Sequence, residues 1–279
     1  LLANYPFALA PGMGLNAYFA YTICLGELAD QANPWQIALT AILVEGIIFI
    51  ILSAFKFRET LVNCIPENLK YGITTGIGLF ITFIGLQNAG IAAADASTKV
   101  ALGDIAQPQV ALALIGVIII GLMLYFNVKG AILWGILITW GLGIIAQFTG
   151  WYAVNPEAGV YSLLPSGSFL PNFAALGDTA FKFDFSFMLN NTVEFAVIVF
   201  AFLFVDLFDT VGTLIGVAAK GNMLDKDGKL PRVGRALMAD AIGTVAGACL
   251  GTSTVTSYVE SSAGVAEGGR TGLTSLTTA

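Results

Sequence analysis

Two carboxylates stand deep in an apolar run, Val205-Asp206-Leu207-Phe208-Asp209-Thr210-Val211-Gly212-Thr213. A third, Glu260, follows a short β-prone polar piece in Thr252-Ser253-Thr254-Val255-Thr256-Ser257-Tyr258-Val259-Glu260-Ser261-Ser262. Asp240 lies in another apolar stretch beside Gly243, Gly247 and Gly251, and Glu45 is isolated in the middle of one more. Ionised groups at membrane depth are costly, so they face a cavity, a partner or a transported species. Asp206 and Asp209 are three residues apart and share roughly one helix face. They fall about 14 residues into the run that starts at Asn191, some 20 Å from its end at ~1.5 Å per residue. Structural roles compete with functional ones. Asp206 can bond a neighbouring helix, Asp240 can accept from backbone amides, and Glu45 can pair with a hydroxyl across helices. For Asp209 and Glu260, beside an expected break in the chain, the functional role leads.

The elements that position these groups are membrane spans. The 279 residues are 57% hydrophobic and 11% charged, with a mean hydropathy of +0.83. Soluble domains carry roughly 25% charged residues, and repeated apolar runs of about 20 residues suit a bilayer. Net charge is −6, and no basic cluster suits nucleic acid. Cys24, Cys64 and Cys249 form no CxxC pair, so they read as packing residues, not as a disulfide frame or zinc site. The absence of histidine removes the commonest metal ligand and the usual proton shuttle. No metal or cofactor is expected, and proton handling falls to carboxylates. The sequence opens in mid-pattern without an initiator Met and stops just past a span, which reads as a fragment.

Eight spans are expected, near 7–24, 35–54, 71–91, 109–127, 131–149, 192–218, 233–250 and 252–270. If they simply alternate, ten of the twelve basic residues fall on one side, with only Lys99 and Lys182 opposite. Lys56, Arg58, Lys70, Lys129, the basic residues from Lys220 to Arg235, and Arg270 make up the ten. The positive-inside rule makes that side cytoplasmic. The loop at about 150–191 is then external, and its Trp151, Tyr152, Tyr161, Phe181 and Phe185 read as partly interfacial or as a plain connection. Gly72-Ile73-Thr74-Thr75-Gly76 in the third span reads as a close-packing face.

The first and last spans are broken. Pro11 lacks an amide hydrogen, and Gly12 and Gly14 permit unusual dihedrals. Thr252 to Thr256 are β-prone and compete with helix. Helix is expected to resume near Ser257, where Ser257-Tyr258-Val259-Glu260 matches a capping box. Irregular backbone at membrane depth needs cover from protein or a watery cavity. Two similar broken elements running in opposite directions mark an inverted repeat and tend to frame a substrate site.

Pro6-Phe7-Ala8-Leu9-Ala10-Pro11-Gly12-Met13-Gly14-Leu15-Asn16-Ala17-Tyr18-Phe19, Asp206-Leu207-Phe208-Asp209-Thr210-Val211-Gly212-Thr213, Ser257-Tyr258-Val259-Glu260-Ser261-Ser262-Ala263-Gly264 and Gly268-Gly269-Arg270-Thr271-Gly272 carry a resemblance. With Pro66-Glu67-Asn68-Leu69-Lys70, they resemble the AzgA-like purine permeases, the hypoxanthine/guanine/adenine branch of the nucleobase–cation symporters. The resemblance runs over essentially the whole chain. It implies an all-α polytopic membrane protein, part of a seven-plus-seven inverted repeat with core and gate domains and two broken spans with short β-like segments. The chain then corresponds to family spans three to ten. Residues 1–54 and 192–279 belong to the core, 55–150 to the gate, and 151–191 to the external loop.

The resemblance also implies roles. Asp209 contacts the base or carries the coupling proton, and Glu260 hydrogen-bonds the nucleobase edge. Tyr258 packs its ring on the base. Asp240, with Asp206, supports the site. Gly14 and Asn16, in the Gly12–Asn16 stretch, contribute from the opposite half-helix. The implied function is secondary active import of purine bases across the cytoplasmic membrane by proton symport, with no enzyme activity. A homodimer, the preferred purine and the coupling ion stay open. The chemistry agrees, because a carboxylate accepts from adjacent N–H groups of a planar base while freed half-helix amides donate. An anion carrier of the sulfate or bicarbonate type on the same fold is the alternative, disfavoured because acidic residues repel anions. An intramembrane aspartyl protease needs aspartates on two facing helices, whereas Asp206 and Asp209 share one.

Overall fold

Chain composition and local chemistry divide this sequence into long apolar helices and short irregular pieces. A computed structural model describes residues 2–55, 57–156, 160–165, 173–174 and 176–279. Lys56, counted above among the cytoplasmic cations, and parts of the 151–191 loop lie outside the described residues. Among the described residues, six helices are long and apolar enough to cross a bilayer. They are α2 (Pro34–Ala54), α4 (Glu67–Asn88), α5 (Pro108–Tyr125), α6 (Ala131–Phe148), α9 (Thr192–Lys220) and α10 (Val233–Leu250). These match the six continuous spans expected from the sequence. The remaining two of the eight are not continuous helices. Proline at the first turn starts α2 and α5, where its missing N–H costs nothing. Gly251, at φ +91°, ends α10 in the left-handed region that glycine tolerates. With 29 residues, α9 is about 44 Å long at ~1.5 Å per residue, longer than the ~30 Å hydrocarbon core of a bilayer.

The short elements fill the gaps between spans. Strand β1 (Leu9–Pro11) precedes α1 (Met13–Ala17), which runs on as a wide π-type helix over Tyr18–Glu27. Helix α3 (Phe57–Cys64) stands between α2 and α4. Strands β2 (Ala92–Asp95) and β3 (Lys99–Leu102) form a hairpin. Helices α7 (Leu176–Thr179) and α8 (Ser186–Asn190) precede α9. Strand β4 (Val255–Ser257), α11 (Ser261–Ala266) and α12 (Gly272–Thr278) close the chain.

The chain divides into two compact units, Leu1–Phe80 with Asn172–Ala279, and Ile81–Pro171. In the first, α2 packs on α10 closely enough that a Cβ on Gly46 would come within 2.7 Å of Val245. One apolar cluster gathers Ile23, Ile37, Ile42, Ile198 and Phe202, and another Phe7, Val62, Leu214, Leu237 and Val265. In the second unit α5 and α6 pair, with Gly116 against Thr139 and Gly135 against Ile120. Tyr152 is buried there with Leu112 and Ala146. Its hydroxyl donates to the Tyr161 carbonyl at 3.0 Å.

Two local expectations are corrected. A Cβ on Gly72 or Gly76 would meet nothing within 4 Å among the described residues. The close approach between α4 and α9 is made by glycines of α9 instead. Gly212 receives Ile77 and Ile73, Gly216 receives Thr74, and the Thr74 hydroxyl donates to the Gly212 carbonyl at 3.0 Å. The helix after β4 begins at Ser261, not near Ser257, and the capping box does not form. Ser257 pairs with Leu9 in the ladder, and the Tyr258 amide donates to the Ala8 carbonyl at 2.9 Å. The strand therefore takes the backbone that a helix start would need.

Candidate functional site

The two broken spans meet each other. β1 and β4 pair antiparallel, with Leu9 opposite Ser257, Ala10 opposite Thr256 and Pro11 opposite Val255. Antiparallel pairing means the two segments run in opposite directions, as expected of the broken spans. The pairing also answers the backbone problem, because at membrane depth every polar group needs a partner. The Gly12 amide donates to the Thr254 carbonyl at 3.3 Å, and the Ala8 amide donates to the Ser261 hydroxyl at 3.0 Å. Pro11, with no amide hydrogen, offers only its carbonyl, which accepts from the Tyr258 hydroxyl at 3.1 Å.

Side chains reinforce the crossing. The Ser253 hydroxyl donates to Asn16 Oδ1, which ties α1 to the segment before β4. Gly12 lies against Thr256, where a Cβ would come within 2.9 Å of its methyl. A Cβ on Gly14 would come within 2.5 Å of the Phe80 ring. Both glycines are thus demanded by close approach.

Asp209 is partly exposed on α9. Thr256, Asp240 and Glu260 lie within its electrostatic reach. Glu260 immediately precedes α11, makes no capping hydrogen bond there and is exposed. Helix α11 has only six residues, too short for the full dipole expected of a half-helix. The sequence therefore named a set that the fold gathers. Asp209, Glu260, Tyr258 and Asn16 lie around the β1–β4 crossing, while Gly14 faces the Phe80 ring.

Asp206 and Asp240 stand behind that crossing, both fully buried. Thr210 links them. Its hydroxyl lies 3.2 Å from Asp206 Oδ1, 3.0 Å from Asp240 Oδ2 and 3.1 Å from the Thr256 hydroxyl. Glu45 is also fully buried, and it accepts from the Thr254 hydroxyl at 3.2 Å. Glu45 therefore pairs with a hydroxyl as expected, but one on the irregular segment before β4 rather than on a helix.

The residue the sequence missed is Arg58. It reads there as a loop cation of the cytoplasmic side, yet its side chain is fully buried. Its Nη2 lies 3.5 Å from Asp240 Oδ2 and 3.8 Å from Asp206 Oδ2. The one available signal was its place four residues beyond the apolar α2, close enough for a long side chain to turn inward.

Comparison with known proteins adds a family. The model of the permease family Xan_ur_permease matches residues 1–279. The chain is 47% identical over 282 residues to the guanine/hypoxanthine permease PbuO of Bacillus subtilis, covering 100% of this chain and 61% of the relative. It is 39% identical over 279 residues to the adenine permease AdeQ of Escherichia coli, covering 99% of this chain and 57% of the relative. The chain thus spans about three fifths of these relatives. Among solved structures, the transmembrane domain of the cyanobacterial bicarbonate transporter BicA superposes with a TM-score of 0.62. That match covers 99% of this chain and 68% of the other at 18% identity, and it establishes likeness of fold alone.

Proposed function

Since this chain belongs to the Xan_ur_permease family of permeases, we propose that the complete protein is a secondary active transporter importing purine nucleobases by proton symport. It is a multi-pass membrane protein and a transporter rather than an enzyme. The substrate reading draws on relatives named as guanine/hypoxanthine and adenine permeases at 39–47% identity. The single observation that carries it is Asp209 and Glu260 brought within reach of each other at the β1–β4 crossing. Two neighbouring carboxylates favour a ligand rich in N–H donors and disfavour an anion.

In this proposal Glu260 accepts hydrogen bonds from adjacent N–H groups of the base edge. The Tyr258 ring packs on the base, and Gly14 and Asn16 line the facing side. A carboxylate bond to such donors contributes roughly 1.5–3 kcal/mol. A neutral base accumulates only if an ion drives it, and Asp209 holds the coupling proton with Asp240 and Asp206 behind it. Residues 1–54 and 192–279 act as the core domain and 55–150 as the gate, joined by the external 151–191 loop. Together they form part of a seven-plus-seven inverted repeat.

The experiment is uptake of radiolabelled hypoxanthine, adenine and uracil by purine-uptake-deficient cells carrying the full-length gene, with and without Glu260→Gln. Purine uptake that the substitution abolishes supports the proposal. Uptake of none of the three overturns the substrate reading. Uptake that survives Glu260→Gln moves the site away from α11, and uptake insensitive to a proton uncoupler removes the coupling claim.

A further inference from the structure

The buried charges behind the crossing do not balance. Glu45 from α2, Asp206 from α9 and Asp240 from α10 are all fully buried, and among the described residues Arg58 is the cation paired with Asp206 and Asp240. Glu45 lies within electrostatic reach of Asp206, Asp240 and Arg58. If all four were ionised, the group would carry a surplus of two negative charges. Among the described residues, several of its atoms have no hydrogen-bond partner, including Glu45 Oε1, Asp206 Oδ2, Asp240 Oδ1 and Arg58 Nη2. An arginine near a membrane boundary ordinarily extends its head toward water. Arg58 does the reverse. Its Nη1 donates to the Leu237 carbonyl of α10 at 3.2 Å, and its guanidinium sits 3.6 Å over the Phe49 ring of α2. The short helix α3 thus delivers one fixed positive charge into the interior.

We propose that Arg58 is a positioning residue for transport: its guanidinium clamps Asp206 to Asp240 and sets the charge state of the buried group behind Asp209. Its influence reaches Asp209 through hydroxyls. Thr210 touches both clamped carboxylates and Thr256, and Thr256 and Asp240 both lie within electrostatic reach of Asp209. A hydroxyl has one proton to donate, so its direction depends on which carboxylates are already protonated. A change in charge at Asp206 or Asp240 therefore changes what Thr256 offers Asp209. The facing groups are Glu45 from α2, Asp206 and Asp209 from α9, and Asp240 from α10, with Glu260 beyond Asp209. Single removal of a buried cation leaves uncompensated anions, which is strongly unfavourable, whereas removing a cation and an anion together is tolerated far better.

The inference rests on the transporter reading above, so its test carries a readout that needs no substrate. Arg58→Gln, Arg58→Lys and the double variant Arg58→Gln with Asp206→Asn are made in the full-length protein. Base uptake and the Tm of the purified protein are followed from pH 5.5 to pH 8. Arg58→Gln is expected to lower uptake about tenfold or more at pH 8 and less at pH 5.5, where protons replace the lost cation. Its Tm deficit is expected to follow the same order. The double variant recovers most of both, and Arg58→Lys falls between. Wild-type uptake and Tm across that range in Arg58→Gln would overturn the proposal. So would a deficit that is equal at every pH and unrelieved by Asp206→Asn, because a purely packing role behaves that way. Should the wild type carry no base, the substrate reading fails while the Tm profiles still decide the role of Arg58.

Discussion

Replacing Thr210 by valine tests the buried network without changing its shape. Valine keeps the two branches of threonine and exchanges the hydroxyl for a methyl. The lost oxygen lies 3.0 Å from Asp240 Oδ2, 3.2 Å from Asp206 Oδ1 and 3.1 Å from the Thr256 hydroxyl. One hydroxyl donates a single proton, so the three contacts amount to one donated bond to a carboxylate and one accepted bond. The donated bond is worth roughly 1.5–3 kcal/mol and the accepted one about 1 kcal/mol. Thr210→Val should therefore cost about 2.5–4 kcal/mol, somewhat more if Asp240 Oδ2 is left with no donor. Thr210→Ser keeps the hydroxyl and loses one methyl, worth about 0.8 kcal/mol of burial. The assay is denaturation of the full-length protein in detergent, with uptake measured alongside. Valine should be the worse of the two by about 2 kcal/mol or more. If serine proves worse than valine, the methyl matters and the hydroxyl does not, and the network reasoning is refuted.

Three further outcomes are expected. Gly212→Ala places a Cβ 2.3 Å from Ile77 Cδ1 and should cost about 1–3 kcal/mol by overpacking. Ile77→Val removes that atom, so the double variant should regain most of the lost Tm. Tyr258→Phe removes the bond to the Pro11 carbonyl at 3.1 Å, a loss of about 1 kcal/mol seen as a lower Tm. The KM should then rise less in Tyr258→Phe than in Tyr258→Leu, which also deletes the ring. In an otherwise cysteine-free protein, Ser97→Cys in the β2–β3 turn and Asp227→Cys in the α9–α10 loop should differ in intact cells. A membrane-impermeant maleimide should label the first and spare the second, and the reverse pattern would invert the topology.

The reach of the sequence varied with the distance over which each feature is decided. Glu260, Tyr258 and Asn16 were legible because each sits beside a local irregularity, Pro11-Gly12 or the Thr252–Thr256 run, that the chain itself announces, and Asp209 because it is a carboxylate deep in an apolar run. Arg58 was not legible, because its partners Asp206 and Asp240 are about 150 and 180 residues away and nothing nearby marks it as buried. The glycines of α4 misled for a related reason. A small-residue face permits close approach, but here the approach falls on Gly212 and Gly216 of α9.

The sequence by itself determined the six continuous spans, the two breaks and the charged residues set at membrane depth. All of these follow from partition between water and hydrocarbon, which each segment feels on its own. Only the tertiary structure decided where α11 begins, because the Tyr258 amide is taken by Ala8 some 250 residues earlier in the chain. Only it decided that Arg58 turns inward. A buried charge is tolerable solely where opposite charges, a carbonyl and a ring converge on it, and that convergence is a property of the packed helices rather than of any one stretch.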